Sequence, residues 1–477
     1  MNSTIPDAVP LCVDLDGTLV RSDMLIESIL LMAKAQPFSL LMIPFWLLNG
    51  KSFLKHQVAQ RIDLSQANIP YNQDVIDYVK TERATRKTVL VTGSHQSIAE
   101  LVQQQTGLFD EVIGSDAERN LTSYRKRDWL VGEYGEKGFD YIGNDSDDLN
   151  VWPAAREALV VSRPNGIASK TAQTFSKVFE VASSNPKDYL SLLRVHQWSK
   201  NVLVLVPFAL DQRFGDWTAT LSILLAFLAM CLLASLTYII NDMLDLQADR
   251  QNATKSKRAL ASTRISLVDG AKIATVLGLL VLFLCLLLPL AFNLILLSYA
   301  ILTLLYSFWF KKVAVLDVVV IAALHTIRVV GGTLAIAAEW SFWLLAFSMF
   351  IFFSIALAKR VAELMNLKKE NKETTPGRDY RVEDVPMLIA SGVSTGYLSV
   401  LIVALYINSD KVRVMYSTPE ILWLICPILL YWIGRLWMKT ARGEMHEDPI
   451  LFAMRDRVSL DAAGLTMVVV IAAMLYG

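Results

Sequence analysis

The sequence predicts a multi-domain chain: an α/β domain with a doubly wound sheet, followed by an all-α bundle of about nine transmembrane helices. Three observations predict it. The 477 residues are 54% hydrophobic and only 19% charged, below the roughly one quarter that soluble domains carry. The average hides a split, because the chain reads as soluble up to about Asn185 and apolar runs dominate from about Leu190. In the soluble part, short apolar strands end in clusters of Asp, Thr, Ser and Gly, and strand ends are where ligands meet a parallel sheet.

Residues 1–183 form the first domain, 184–189 a short polar linker and 190–477 the membrane domain. A net charge of zero provides no basic footprint for nucleic acid. Cys12, Cys231, Cys285 and Cys426 form no CxxC pair and read as buried small apolar residues. The opening MNSTIPDAVP lacks the basic and apolar regions of a secretory leader, so the first domain is expected in the cytoplasm.

In the first domain, Leu11-Cys12-Val13 is a strand that runs into Asp14-Leu15-Asp16-Gly17-Thr18. Val89-Leu90-Val91 runs into Thr92-Gly93-Ser94, and Phe139–Ile142 into Gly143-Asn144-Asp145-Ser146-Asp147-Asp148. Three strand ends thus offer hydroxyls and carboxylates together. The set resembles the haloacid dehalogenase superfamily of phosphohydrolases, whose DxDGT signature it carries. The resemblance implies that Asp14 is the phosphoryl-accepting nucleophile and Asp16 the general acid and base. It implies that Thr92 and Gly93 bind phosphate and that Lys126, or alternatively Lys137, neutralises it. Magnesium would sit on Asp14, the Asp16 carbonyl and Asp148. Asn144 departs from the pattern, since the superfamily has an acid there. Two readings follow, an active magnesium-dependent phosphatase or a non-catalytic regulatory domain. Residues 20–85 would be the inserted helical cap. Its segment Leu25–Leu48 is rich in Leu, Met, Phe and Trp but holds Glu27, Lys34 and Pro37. It reads as a cap that touches the membrane rather than as a span.

Apolar runs of about 20 residues suited to a bilayer fall near 190–211, 219–241, 270–288, 290–310, 315–337, 341–363, 387–407, 419–437 and 459–476. With the first domain inside, the inside loops carry Arg250, Lys255, Lys257, Arg258, Lys311, Lys312, Lys368 and Lys369 among others, and the opposite loops only Arg213, Lys411 and Arg413. That bias is the positive-inside pattern. The chain is therefore expected to be multi-pass in the cell inner (plasma) membrane, with the lipid bilayer as its surroundings.

The second run ends in Asn241-Asp242-Met243-Leu244-Asp245-Leu246-Gln247-Ala248-Asp249. The spacing i, i+3, i+7 puts Asp242, Asp245 and Asp249 on one helical face, with Asn241 beside them. Three like charges on one stripe call for a cation, and magnesium suits it because its shell completes with water and phosphate oxygens. Lys255, Lys257 and Arg258 follow at once, as a diphosphate requires. Other polar groups at membrane depth are Arg194, Gln197, Lys200 and Asn201 in the first run, then Tyr306, Lys311, Arg328, Lys359, Arg360 and Glu363.

Asn241-Asp242-x-x-Asp245-x-x-x-Asp249-Arg250 resembles the first signature of the UbiA superfamily of intramembrane prenyltransferases. That resemblance, over about Leu190–Gly477, implies nine helices around a cavity. Most of the superfamily has a second aspartate motif on the sixth helix, where this chain has Ala358-Lys359-Arg360-Val361-Ala362-Glu363. In that respect it is similar to the decaprenyl-phosphate phosphoribosyltransferase branch. So are Arg194–Asn201, Tyr306-Ser307, Leu316-Asp317-Val318, Arg328-Val329 and His446-Glu447-Asp448-Pro449. The resemblance implies phosphoribosyl pyrophosphate as donor, a polyprenyl phosphate as acceptor, and one Mg2+ in each domain. The cations of the sixth helix would grip the donor 5-phosphate or the lipid phosphate. An aromatic prenyltransferase of quinone-type synthesis is the alternative. The oligomeric state is left open, with a homo-oligomer allowed.

Overall fold

A computed structural model describes residues 9–64, 67–116, 119–371, 378–445 and 448–475. The chain divides into two compact units, Met1–Arg194 with Tyr238–Val276, and Val195–Thr237 with Leu277–Gly477. The first unit therefore does not stop at the expected boundary near residue 183, because the segment carrying the acidic stripe belongs to it.

The first unit contains a six-stranded parallel sheet in the order β3-β2-β1-β4-β5-β6. Its strands are β1 (Leu11–Val13), β2 (Thr88–His95), β3 (Glu111–Ser115), β4 (Asp140–Gly143), β5 (Ala158–Ser162) and β6 (Lys177–Glu180). Alternate residues feed two cores, as a period of two demands. Leu11, Val13, Leu90 and Ile142 enter one, and Cys12, Val89, Val91 and Tyr141 the other. Both faces of the central strands are buried, so Leu11–Val13 and residues 89–91 read as unbroken apolar runs. The strand order reverses between β1 and its two neighbours, which places the switch point at the residues following β1.

Between β1 and β2 lie helices α1 (Met24–Ala35), α2 (Ile43–Leu48), α3 (Lys51–Ala59) and α4 (Gln73–Glu82). Asp23 caps α1 by accepting from the Ile26 amide. Met32, Trp46, Leu54 and Val58 give the first three helices a small core of their own. Helices α5 (Gln96–Thr106) and α6 (Tyr124–Tyr134) follow β2 and β3. The expected linker is helical from its third residue. Asn185 and Asp188 form a reciprocal capping box around Pro186, starting the helix Pro186–Leu193.

Eight helices among the described residues are long and apolar enough to cross a membrane. They are α7 (Trp217–Leu244), then, after the short α8 (Leu246–Gln251), α9 (Leu267–Leu287), α10 (Leu290–Phe308), α11 (Leu316–Ala335), α12 (Phe342–Lys369), α13 (Val382–Ile407), α14 (Pro419–Ala441) and α15 (Arg457–Met474). The chain is a multi-pass membrane protein. The count of nine is corrected at its first member. Residues 190–211 form the end of helix Pro186–Leu193, a 3-10 stretch Val195–Leu205 and a short helix Val206–Leu210. Arg194 breaks the run in the left-handed region at φ 49°. Lys200 and Asn201 then turn inward to polar partners, which a lipid-facing span would not supply. Within the second unit this stretch packs closely on α11, where a Cβ on Gly332 would collide with the Val204 carbonyl.

Candidate functional site

The first unit carries two clusters of acids. At the switch point, the Lys126 ammonium donates to Asp14 Oδ1 at 2.8 Å and lies 3.5 Å from Asp148 Oδ1. The Tyr141 hydroxyl donates to the same Asp148 oxygen at 2.7 Å, and also accepts from Lys126 at 2.8 Å. Asp148 Oδ2 accepts from the amides of Asn144 and Asp145 at 2.8 and 3.1 Å. Asp16 turns the other way, accepting from Ser94 Oγ at 2.6 Å and from the Met24 amide at the start of α1 at 2.8 Å. Burial pushes the Asp14 carboxyl well up and Asp16 up to about 6. Burial alone would lower Lys126, but Asp14 and Asp148 hold it above its usual range, so it stays charged.

Of the two lysines considered, the fold brings Lys126 to Asp14. Lys137 instead donates to the carbonyls of Pro153 and Ala155. Thr92 is buried and its hydroxyl accepts from the Ser94 amide at 3.0 Å. The Gly93 carbonyl accepts from Ser115 Oγ at 2.8 Å and from Lys55 of α3. Asn144 accepts from Thr18 Oγ1 at 3.0 Å, and its side chain packs against Gly17, whose φ of +73° suits glycine. Sequence reasoning missed Ser94, Tyr141 and the cap residue Lys55. Ser94 stood beside the motif and could have been taken with it; the other two are brought in by packing alone.

The second cluster follows α7. The expected stripe is bent, because α7 ends at Leu244 and Asp245 starts α8. Arg258 joins Asp242 at 3.0 Å and Asp249 at 2.6 Å, and Arg194 pairs with Asp242 as well. Asp245 instead meets Lys34 of α1 at 3.4 Å. Among the described residues, no three His, Cys, Asp or Glu side chains converge in a way that could hold a metal, so the three aspartates do not form the single cluster expected. The physical reason is that two guanidinium groups already neutralise the buried pair. Asn241 Oδ1 is buried without a hydrogen-bond partner. Oxygen donors such as this amide and the carboxylates of Asp242 and Asp249 are the kind that a hard divalent ion takes. Lys255 and Lys257 are exposed on a single turn.

One contact set ties α1 to this segment. Glu27, fully buried at its side chain, receives Arg250 through two bonds of 2.7 and 3.0 Å and Gln247 at 3.0 Å. Arg250 also reaches the Asn68 carbonyl at 3.0 Å.

In the second unit, polar groups pair with one another. Lys200 and Lys359 share Asp448, the latter at 3.3 Å. Arg360 is almost wholly buried between Asp317 at 2.7 Å, Glu363 at 2.6 Å and the Tyr306 hydroxyl at 3.1 Å, and Arg378 also meets Glu363 at 2.9 Å. Arg328, the mid-helix cation, finds Asn201 Oδ1 at 2.8 Å and the Tyr299 hydroxyl at 3.0 Å. Lys311 lies half-buried on the turn Phe310–Lys312. His446 and Glu447 of the late motif lie outside the described residues.

The sequence pattern of the UbiA prenyltransferase family matches residues 203–458. The chain belongs to that family. It is 39% identical to the uncharacterized protein y4nM of Sinorhizobium fredii over 94% of this chain and 88% of that one. It is 30% identical to the nodulation protein NoeC of Azorhizobium caulinodans over 57% of this chain and 88% of that one. It is 32% identical to decaprenyl-phosphate phosphoribosyltransferase of Mycolicibacterium smegmatis over 40% of this chain and 63% of that one. The UbiA match holds Asp242, Asp245, Asp249, Lys359 and Arg360, while Asp14, Asp16, Lys126 and Asp148 precede it.

Proposed function

We propose that the membrane domain transfers 5-phosphoribose from phosphoribosyl pyrophosphate to a polyprenyl phosphate, and that the N-terminal domain is a magnesium-dependent phosphatase of the haloacid dehalogenase type acting on the phosphoribosyl lipid. One observation carries the transferase half. The chain has an acidic set at Asp242 and Asp249, but at the place of a second it has Lys359 and Arg360. A reaction with a single pyrophosphate leaving group and a second, separate phosphate needs that inequality, whereas a prenyl diphosphate held by two acidic motifs does not. The similarity to decaprenyl-phosphate phosphoribosyltransferase supports the same reading.

Asn241, Asp242 and Asp249 would hold Mg2+, which supplies charge neutralisation to the departing pyrophosphate. Arg258 and Arg194, already on these carboxylates, would turn to phosphate oxygens once the aspartates are occupied. Lys200 and Lys359 compete for one carboxylate, Asp448, so one ammonium is left to meet an anionic group. Arg360 is held between two acids, Asp317 and Glu363, and would position Lys359 and Tyr306 rather than grip substrate. In the N-terminal domain, Asp14 would attack phosphorus while Asp16 gives a proton to the leaving oxygen and later takes one from water. Asp14, Asp148 and the Asp16 carbonyl would hold its Mg2+. Lys126 opposes the effect of burial on Asp14 and favours its ionised form.

The test supplies labelled phosphoribosyl pyrophosphate and decaprenyl phosphate to the full chain in lipid nanodiscs. Phosphoribosyl lipid and then inorganic phosphate are expected. Asp242→Asn should stop the first product. Asp14→Asn should stop phosphate release while transfer continues. Transfer from a prenyl diphosphate to an aromatic acceptor, with none from the ribosyl donor, would overturn the first half. Phosphate release that ignores Asp14→Asn would overturn the second and favour the regulatory reading, to which Asn144 belongs.

A further inference from the structure

We infer that the segment Pro37–Leu48 of the N-terminal domain lies in the headgroup layer of the bilayer, as an interfacial anchor. The segment is a 3-10 turn, Pro37–Met42, running into α2. One side packs into the small core of Met32, Trp46, Leu54 and Val58. The other side presents Phe38, Leu41, Phe45 and Leu48, exposed at 80%, 71%, 61% and 85%. Four large apolar side chains on one short hairpin are far beyond the scattered exposure normal for a soluble surface.

The same unit shows where this face sits. Helix α7, of membrane-spanning length and hydropathy, ends at Leu244. The next residue, Asp245, meets Lys34 at the end of α1, and one and a half turns further on Arg250 is locked to buried Glu27. Glu27 and Lys34 are seven residues apart, so one face of α1 lies along the segment that leaves the membrane. Pro37 follows Lys34 by three residues, a reach of at most about 10 Å. The apolar hairpin therefore begins close to the end of a span, where the headgroup region, roughly 5–8 Å deep on each side of the hydrocarbon core, is met. Exposed Lys34 and Lys51 flank it, as basic residues flank interfacial helices on anionic lipid. A second copy of the chain would cover the apolar face but would not account for its level beside a span end.

Because α1 also gives its first amide to Asp16, the anchor would hold the Asp14 site facing lipid-borne phosphate; this consequence rests on the phosphatase reading above. The test places a fluorescent non-natural amino acid at position 38, 41 or 48 of the full chain, and at exposed position 80 on α4 as control. The protein is held as one copy per nanodisc of mixed neutral and anionic lipid carrying a doxyl quencher. Quenching several-fold stronger at the three hairpin positions than at 80 is expected. Equal quenching, or shielding from aqueous iodide without lipid quenching, overturns the inference. A second arm compares hydrolysis by the triple variant Phe38→Ser, Leu41→Ser, Leu48→Ser. KM for a lipid-linked phosphate should rise about tenfold while a soluble aryl phosphate is cleaved as before. Absence of all hydrolysis would sink the phosphatase reading and leave the quenching result standing.

Discussion

Around Asp14, two strand ends deliver two carboxylates to a single lysine, Lys126, with Tyr141 completing the set. Around Arg360, the helices deliver two carboxylates and a phenol to one buried guanidinium, with Arg378 at the edge of the same acids. The two regions solve one problem, a buried acid pair, with different cations, and the difference is instructive. An ammonium is a compact charge that a bound phosphate can share, while a planar fork engaged on both sides is committed to structure. On the proposed function, the lysine at the strand-end cluster serves chemistry, while the arginine on α12 joins helices.

The sharpest way to break that contrast is Arg360→Met. It leaves buried Asp317 only the more distant Arg378 guanidinium at 3.8 Å, and removing one partner of a buried pair costs about 3–5 kcal/mol. Thermal unfolding in detergent should show the loss; a cost under about 1 kcal/mol would mean that Arg360 is not a joint. Next is Glu27→Ala, which strands Arg250 but leaves it the Asn68 carbonyl, so about 2–3 kcal/mol is expected. Hydrogen exchange in α1 should speed up accordingly, and unchanged protection would deny α1 its hold on the segment after α7. Lys359→Met should cost about 1 kcal/mol or less, because Lys200 retains Asp448 and the side chain is partly exposed. Its signature would be a donor KM raised tenfold or more, which sets a substrate-facing cation apart from a structural one. The smallest effect belongs to Lys137→Ala, within about 0.5 kcal/mol and without change in phosphate release. Lys126→Ala should abolish that release; reversed results for the two lysines would exchange their roles.

The acidic stripe shows how a local spacing rule and the tertiary arrangement can part. Spacing alone put Asp242, Asp245 and Asp249 on one helical face, but a helix that ends at Leu244 sends Asp245 to Lys34. The sequence distance between those two residues is 211, and no periodicity reports a partner so far away. The first expected span failed for a related reason. Its hydropathy was adequate, but Lys200, Asn201 and Arg194 each had a polar partner elsewhere in the fold.

By itself the sequence determined the strand ends that carry Asp14, Thr92 and Asp148, the eight apolar helices that stand among the nine expected runs, and the family, because hydrophobic period and short motifs are local properties. Only the tertiary structure decided that Lys126 rather than Lys137 meets Asp14, that Arg360 is spent on Asp317 and Glu363, and that α1 grips the chain as it leaves α7. Those outcomes depend on which distant charges burial forces together, since a buried carboxylate takes whichever cation the packing brings within reach.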